Sequence, residues 1–151
     1  MITLGTRSQA AMRGVHPDLI RVIKRAASIA TPSQDFTVLE GVRTREQMMV
    51  NYGKGRTAEQ CEAKGVPGHY AQPTLAKVTW LNDPFKSNHG QKADGFGHAA
   101  DIMPYPIDWK DMARIRALVA LMKQAAKLEN VPLICGADWS TPDLDHFELG
   151  I

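Results

Sequence analysis

The chain has 151 residues, 44% of them hydrophobic and 23% charged, with a formal net charge of +2, which fits one globular domain, residues 1–151, able to bury about two-thirds of its unfolded surface. That small charge, with no basic stripe of interleaved aromatics, argues against a nucleic-acid binder. No apolar run approaches the roughly 20 residues that span a bilayer, and residues 1–11 lack the apolar core of a signal peptide, so membrane insertion is not expected and synthesis in a cytoplasm is.

In chain order, Leu19, Ile20, Val22, Ile23, Ala26, Ala27 and Ile29 recur at three- and four-residue spacings around Arg21, Lys24 and Arg25, which predicts an amphipathic helix from Pro17 to about Ala30. Pro17 suits a first helical position, and Pro32 ends the pattern because the residue before a proline avoids the helical region. Phe36 to Gly41 is rich in strand formers. Thr44 and Gln47 form a capping-box pattern that opens a second helix, and 57–64 reads as a short helical turn around Cys61. From Gly65 to His98 the chain is mostly loop, with a strand expected at Ala76–Trp80; a loop of that length in a small domain is functional or disordered.

Ala99 to Met103 is expected as a short buried strand stopped by Pro104 and Pro106. The longest helix is predicted from about Trp109 to Leu128, capped by Asp108, with its stripe from Met112 to Ala126 in the core. Val131 to Cys135 and His146 to Leu149 are the last strands. Cys61 and Cys135 have no Cys-x-x-Cys spacing and no framework, so no disulfide is expected.

Two stretches carry chemistry. Residues 87–101, a glycine-rich loop running into a strand, bring His89, Asp94, His98 and Asp101 together, and residues 143–149 set Asp143, Asp145 and Glu148 beside His146. A catalytic zinc takes three ligands from His, Asp, Glu or Cys and keeps a fourth position for water. Side chains alternate along a strand, so Asp101 shares a face with Ala99 while His98 shares the other with Ala100. That favours His89 over His98 as the partner of Asp101, with His146 arriving from the last strand. A carboxylate taking the proton of the water would complete a hydrolytic site. Asp143 can fold over the metal from a turn, Asp145 is expected on the opposite face, and Glu148 is a weaker candidate for the same task.

Ser87-x-His89, Gly97-x-Ala99-x-Asp101 and Asp143-x-x-His146 followed by Phe147-Glu148-Leu149 resemble the motifs of the zinc peptidase family M15, and within it the bacteriophage endolysins. His16-Pro17-Asp18-Leu19, Glu40-Gly41-Val42-Arg43-Thr44, Gly55-Arg56-Thr57 and Gly136-Ala137-Asp138-Trp139 extend the likeness over most of the chain. The resemblance implies an α+β fold of the hedgehog and DD-peptidase type, a small antiparallel sheet with helices packed on one side and Zn2+ in a cleft on the other. It also implies His89, Asp101 and His146 as zinc ligands, Asp143 as general base and Arg43 as the oxyanion's partner. The substrate implied is bacterial peptidoglycan, cut at the L-alanyl-D-glutamate bond. A D-alanyl-D-alanine carboxypeptidase, or an inert zinc-stabilised wall-binding module, are the alternatives. A monomeric enzyme is implied, made in the host cytoplasm, reaching the wall through a separate membrane pore protein.

The chain departs from the family in two places. Seven residues, Gly90 to Phe96, separate His89 from Gly97, an apparent insertion that leaves His98 open as the first ligand and is expected at the cleft rim. Asp145 stands where a proline is common, so a swap of roles between Asp143 and Asp145 also stays open. Of the remaining residues, Ser87 either donates to substrate or caps its loop, and His98 is read as structural or substrate-facing. Arg43 can alternatively pair with Glu40 or Glu46. Trp80, Trp109 and Trp139 are assigned to core or cleft wall, Trp139 lining the site, while His16 and His69 are assigned to the surface.

Overall fold

Helix α2, Pro17–Ile29, follows the predicted pattern: Leu19, Val22, Ile23, Ala26 and Ala27 are buried in this computed structural model, which describes residues 1–151. Pro17 lies in its first turn, and the His16 ring caps it by accepting the Asp18 backbone N–H. Ahead of it lies a short helix that the sequence does not announce, α1, Thr6–Ala11. It is too short to carry an apolar stripe. Its buried Ser8 hydroxyl accepts the Val38 N–H at 2.9 Å, which ties it to strand β1, Phe36–Glu40.

Thr44 and Gln47 close the predicted capping box of α3, Arg45–Gly53, and Thr57 and Gln60 close another at α4, Ala58–Glu62. Strand β2, Ala99–Pro104, leads to α5, Met112–Glu129, and then to β3, Leu133–Cys135, and β4, His146–Leu149. The four strands form one antiparallel sheet in the order β1-β2-β4-β3.

The pleat sorts the sheet into two faces. Val38, Ala100, Ile102, Phe147 and Leu149 join Leu19, Val22, Ile23, Leu118, Met122 and Ala125 in one core cluster, so α2 and α5 cover one face. Asp101 and His146 project from the other. Helices α3 and α4 belong to neither layer: Tyr52, Cys61 and Val66 make a separate small cluster beside the polar face. Both cysteines are free and buried, as expected.

Three boundaries differ from expectation. Residues 76–80 are not a strand: they pair with no other strand, and Trp80 is 77% exposed. The segment is held instead by Arg56, whose guanidinium donates to the Thr79 carbonyl at 2.8 Å. Helix α5 starts at Met112 and not near Trp109, because Asp108 spends its carboxylate on the Lys110 N–H in a turn while Asp111 accepts the Arg114 N–H as the true cap. Pro132 cannot donate to a ladder, and β3 begins after it at Leu133.

Phe147 is fully buried and pairs with both Ala100 and Cys135, so it joins the sheet's centre to the helices. Phe147→Ala is expected to cost about 3–5 kcal/mol, measured as a shift of the urea midpoint; a loss below about 1 kcal/mol would contradict this core.

Candidate metal centre and cleft

Asp101 and His146 are directly opposite each other on β2 and β4, which puts their side chains on one face as near neighbours. The third residue, His89, comes from the loop: its backbone N–H donates to Ser87 Oγ, and its carbonyl accepts the Arg43 N–H at 2.8 Å. His89 Nε2 lies 3.3 Å from Asp101 Oδ1, and His146 Nδ1 lies 3.6 Å from the same oxygen. Bonds of about 2.0–2.1 Å to a tetrahedral ion set its ligands about 3.3 Å apart, so the three atoms already stand near the edges of such a shell and together could hold a metal ion.

Each imidazole is anchored from behind. His89 Nδ1–H donates to the Gly41 carbonyl at 2.8 Å, which turns Nε2 towards Asp101. His146 is turned the other way round: Nε2 bonds Glu148 Oε1 at 2.8 Å and Nδ1 faces the cluster. Glu148 is fixed in turn by the Asn88 amide. Glu148 therefore orients His146. Its position two residues on, on the same strand face, was the available signal. The role of Gly41 had none, since it depends on a close approach in which an added Cβ would lie 2.0 Å from the Ala11 carbonyl oxygen.

Burial opposes ionisation of Asp101, but hydrogen bonds from His146 and His89 outweigh it and hold the carboxyl well below the usual range. Burial likewise disfavours the charge on His146, yet Asp101 and Glu148 together raise its pKa to about 9. Arg43 reaches over the cluster with Nη2 3.9 Å from Asp101 Oδ2, while Nε donates to Glu40 at 2.7 Å. Thus the two readings of Arg43 coexist: Glu40 holds the guanidinium that faces the site.

An open cleft of about 790 Å³ runs past these residues. Arg43, Ser87, Trp139 and Asp143 all line it, with Lys54, Lys86, Thr79 and Trp80 from the segments beyond α3. Trp139 stacks obliquely on His146, ring centres 5.0 Å apart. Trp80 is an exposed rim residue and Trp109 an exposed surface residue, not core. Asp143 is positioned by its own backbone, its N–H donating to the Gly136 carbonyl at 2.9 Å. Asp145 does not turn away as expected. Burial, the charge of Asp101 and a hydrogen bond with Asp143 lift its carboxyl above the usual range.

His98 does not line the cleft. Its Nε2 bonds Asp94 at 2.7 Å, and its ring meets that of His16 edge-on. The insertion Gly90–Phe96 likewise folds away from the cleft: the turn closes through Lys92 N–H to Phe96 carbonyl at 2.8 Å and presents Asp94 to His16 and His98.

A helix-backed antiparallel sheet with a His-Asp-His cluster in an open cleft defines a class that the comparisons narrow. Residues 1–75 match the family model of phage L-alanyl-D-glutamate peptidases. Over 148 residues the chain is 29% identical to the L-alanyl-D-glutamate peptidase of Escherichia phage T5, across 96% of this chain and 87% of that one. The crystal structure of the Serratia marcescens L-Ala D-Glu endopeptidase ChiX shares the fold with a TM-score of 0.60 and 27% identity, over 95% of this chain and 86% of that one. The chain is thus similar to phage-type L-alanyl-D-glutamate peptidases over nearly its whole length.

Without metal, His146 is protonated at neutral pH, and a metal at Nδ1 must displace that proton. Affinity for a divalent ion is therefore expected to rise about tenfold per pH unit from neutrality up to about pH 9. Glu148→Ala should end the rise at a lower pH. A pH-independent affinity in chelator-competition titrations would contradict this assignment.

Proposed function

We propose that the chain is a zinc-dependent endolysin that hydrolyses the L-alanyl-D-glutamate bond of peptidoglycan stem peptides. The observation that carries the reading is the His89, Asp101 and His146 set, spaced for a tetrahedral ion and with both imidazoles anchored, in a cleft shared with Arg43 and Asp143. Two imidazoles and a carboxylate with a fourth position open are the donor set of a catalytic zinc, and the names of the relatives supply the bond.

Bound there, zinc supplies Lewis acidity and lowers the pKa of water towards about 7. The protein's own groups do the rest. Asp143, on the cleft wall, accepts the proton of the attacking water and returns it to the leaving amine of D-glutamate. Asp145, hydrogen-bonded to Asp143, positions it. Arg43, clamped by Glu40, places a fixed cation beside the oxygen that gains charge. Ser87 holds the backbone of the His89 loop through its hydroxyl, and Trp139 closes one side of the cleft against His146.

In this reading the enzyme is a monomer made in the host cytoplasm, released to the wall through a separate pore protein, and antimicrobial when applied to exposed peptidoglycan. No helix of the structure is long and apolar enough to cross a membrane.

Digestion of purified peptidoglycan tests the reading, with new termini identified by mass spectrometry. Wild type should release free L-alanine carboxyl and D-glutamate amino termini. Asp143→Asn should lower the rate about 100-fold or more with metal retained, and Asp145→Asn should lower it less. Released D-alanine would make the enzyme a carboxypeptidase instead, and metal binding with no product would leave a wall-binding module.

A further inference from the structure

A second set of metal-ligating atoms lies outside the cleft. One ring nitrogen each of His16 and His98 and one carboxylate oxygen of Asp94 all fall within 4.8 Å of one another. Three separate parts of the chain supply them: the cap of α2, the turn of the insertion and the residue before β2. A backbone bridge between Val15 and Gly97 sets His16 beside His98, and the His16 N–H donates to the Gly97 carbonyl at 2.9 Å. Asp94 gives one oxygen, Oδ1, to the Phe96 N–H at 3.0 Å and turns the other towards both rings. The imidazoles are mostly buried, with side-chain exposures of 19% and 15%, while Asp94 at 39% leaves one side of the cluster open to water.

The geometry points to a second divalent-metal site at His16, Asp94 and His98, distinct from the cleft and completed by the insertion. Two imidazoles and one carboxylate suit a first-row ion such as Zn2+, Co2+ or Ni2+; Ca2+, which takes oxygen ligands, does not fit. The site is less ready than the first. His98 Nε2 and Asp94 stand 2.7 Å apart, a hydrogen bond that must open to about 3.3 Å around an ion, and His16 Nε2 lies 3.7 Å from the same oxygen. His16 Nδ1 also accepts the Asp18 N–H at 3.0 Å, so the neutral ring carries its proton on Nε2. Loading moves that ring to the other tautomer: Nε2 gives up its proton to solvent and binds the ion, and Nδ1 gains one. The Asp18 carboxylate, 4.0 Å from Nδ1, is the acceptor within reach for the new N–H. The second equivalent therefore binds more weakly than the first. Once bound, it staples the turn that starts next to His89 to α2 and β2.

Untagged protein titrated with Co2+ tests this, with visible absorption and total bound metal as readouts. Wild type is expected to take up two equivalents in two steps. Asp94→Asn and His98→Ala should each lose the weaker step and keep the tighter one, while His89→Ala should lose the tighter one and keep the weaker. Uptake of a single equivalent by wild type, or two equivalents retained in Asp94→Asn, would overturn the second site and leave the cluster as a hydrogen-bonded latch.

Discussion

The site depends on one cross-strand pair. Asp101 and His146 face each other in the antiparallel ladder of β2 and β4, and a shift of either strand by one residue would send one of them into the helix-packed core. The register is held from the apolar side, where Ala100 and Phe147 form the neighbouring pair and are completely buried. Packing and chemistry are thus written on alternate residues of the same two strands. The core fixes the strands, and the strands fix two of the three candidate metal ligands.

The third comes from outside the sheet and is held by different means. His89 sits on a loop with little regular structure, yet its ring bonds the carbonyl of Gly41 and its backbone carbonyl takes the Arg43 N–H. Residues 41–43, just past β1, therefore aim His89 and place Arg43 in one stroke. The tight approach of Gly41 to α1 explains why a short helix with no stripe of its own matters: Ser8 ties it to β1, and the Ala11 carbonyl packs against Gly41.

Helices α2, α3 and α5 and most of the sheet were legible because each rests on a repeating pattern: the stripe from Leu19 to Ile29, the capping box of Thr44 and Gln47, the apolar alternation of residues 99–103. His89, Asp101, Asp143 and His146, picked out by strand alternation and motif order, line one cleft in the structure. What failed had a common cause. The strand expected at 76–80 has the right local composition but pairs with no other strand, and the cap at Asp108 lost to Asp111 because either aspartate can serve a turn. The placements of Asp145, His98 and the insertion depend on where a turn points, which periodicity does not encode. Glu148 as the holder of His146 was within reach of the sequence, two residues along the same face, whereas the Gly41 carbonyl was not.

The proposed chemistry rests on one ion held by His89 through Nε2, by His146 through Nδ1 and by Asp101. Anomalous diffraction at the zinc edge from zinc-loaded crystals measures this directly. The expected peak lies about 2.0–2.2 Å from all three atoms, with Glu148 still bonded to His146 Nε2. A peak on Nε2 of His146, or no peak between the three residues, would contradict it.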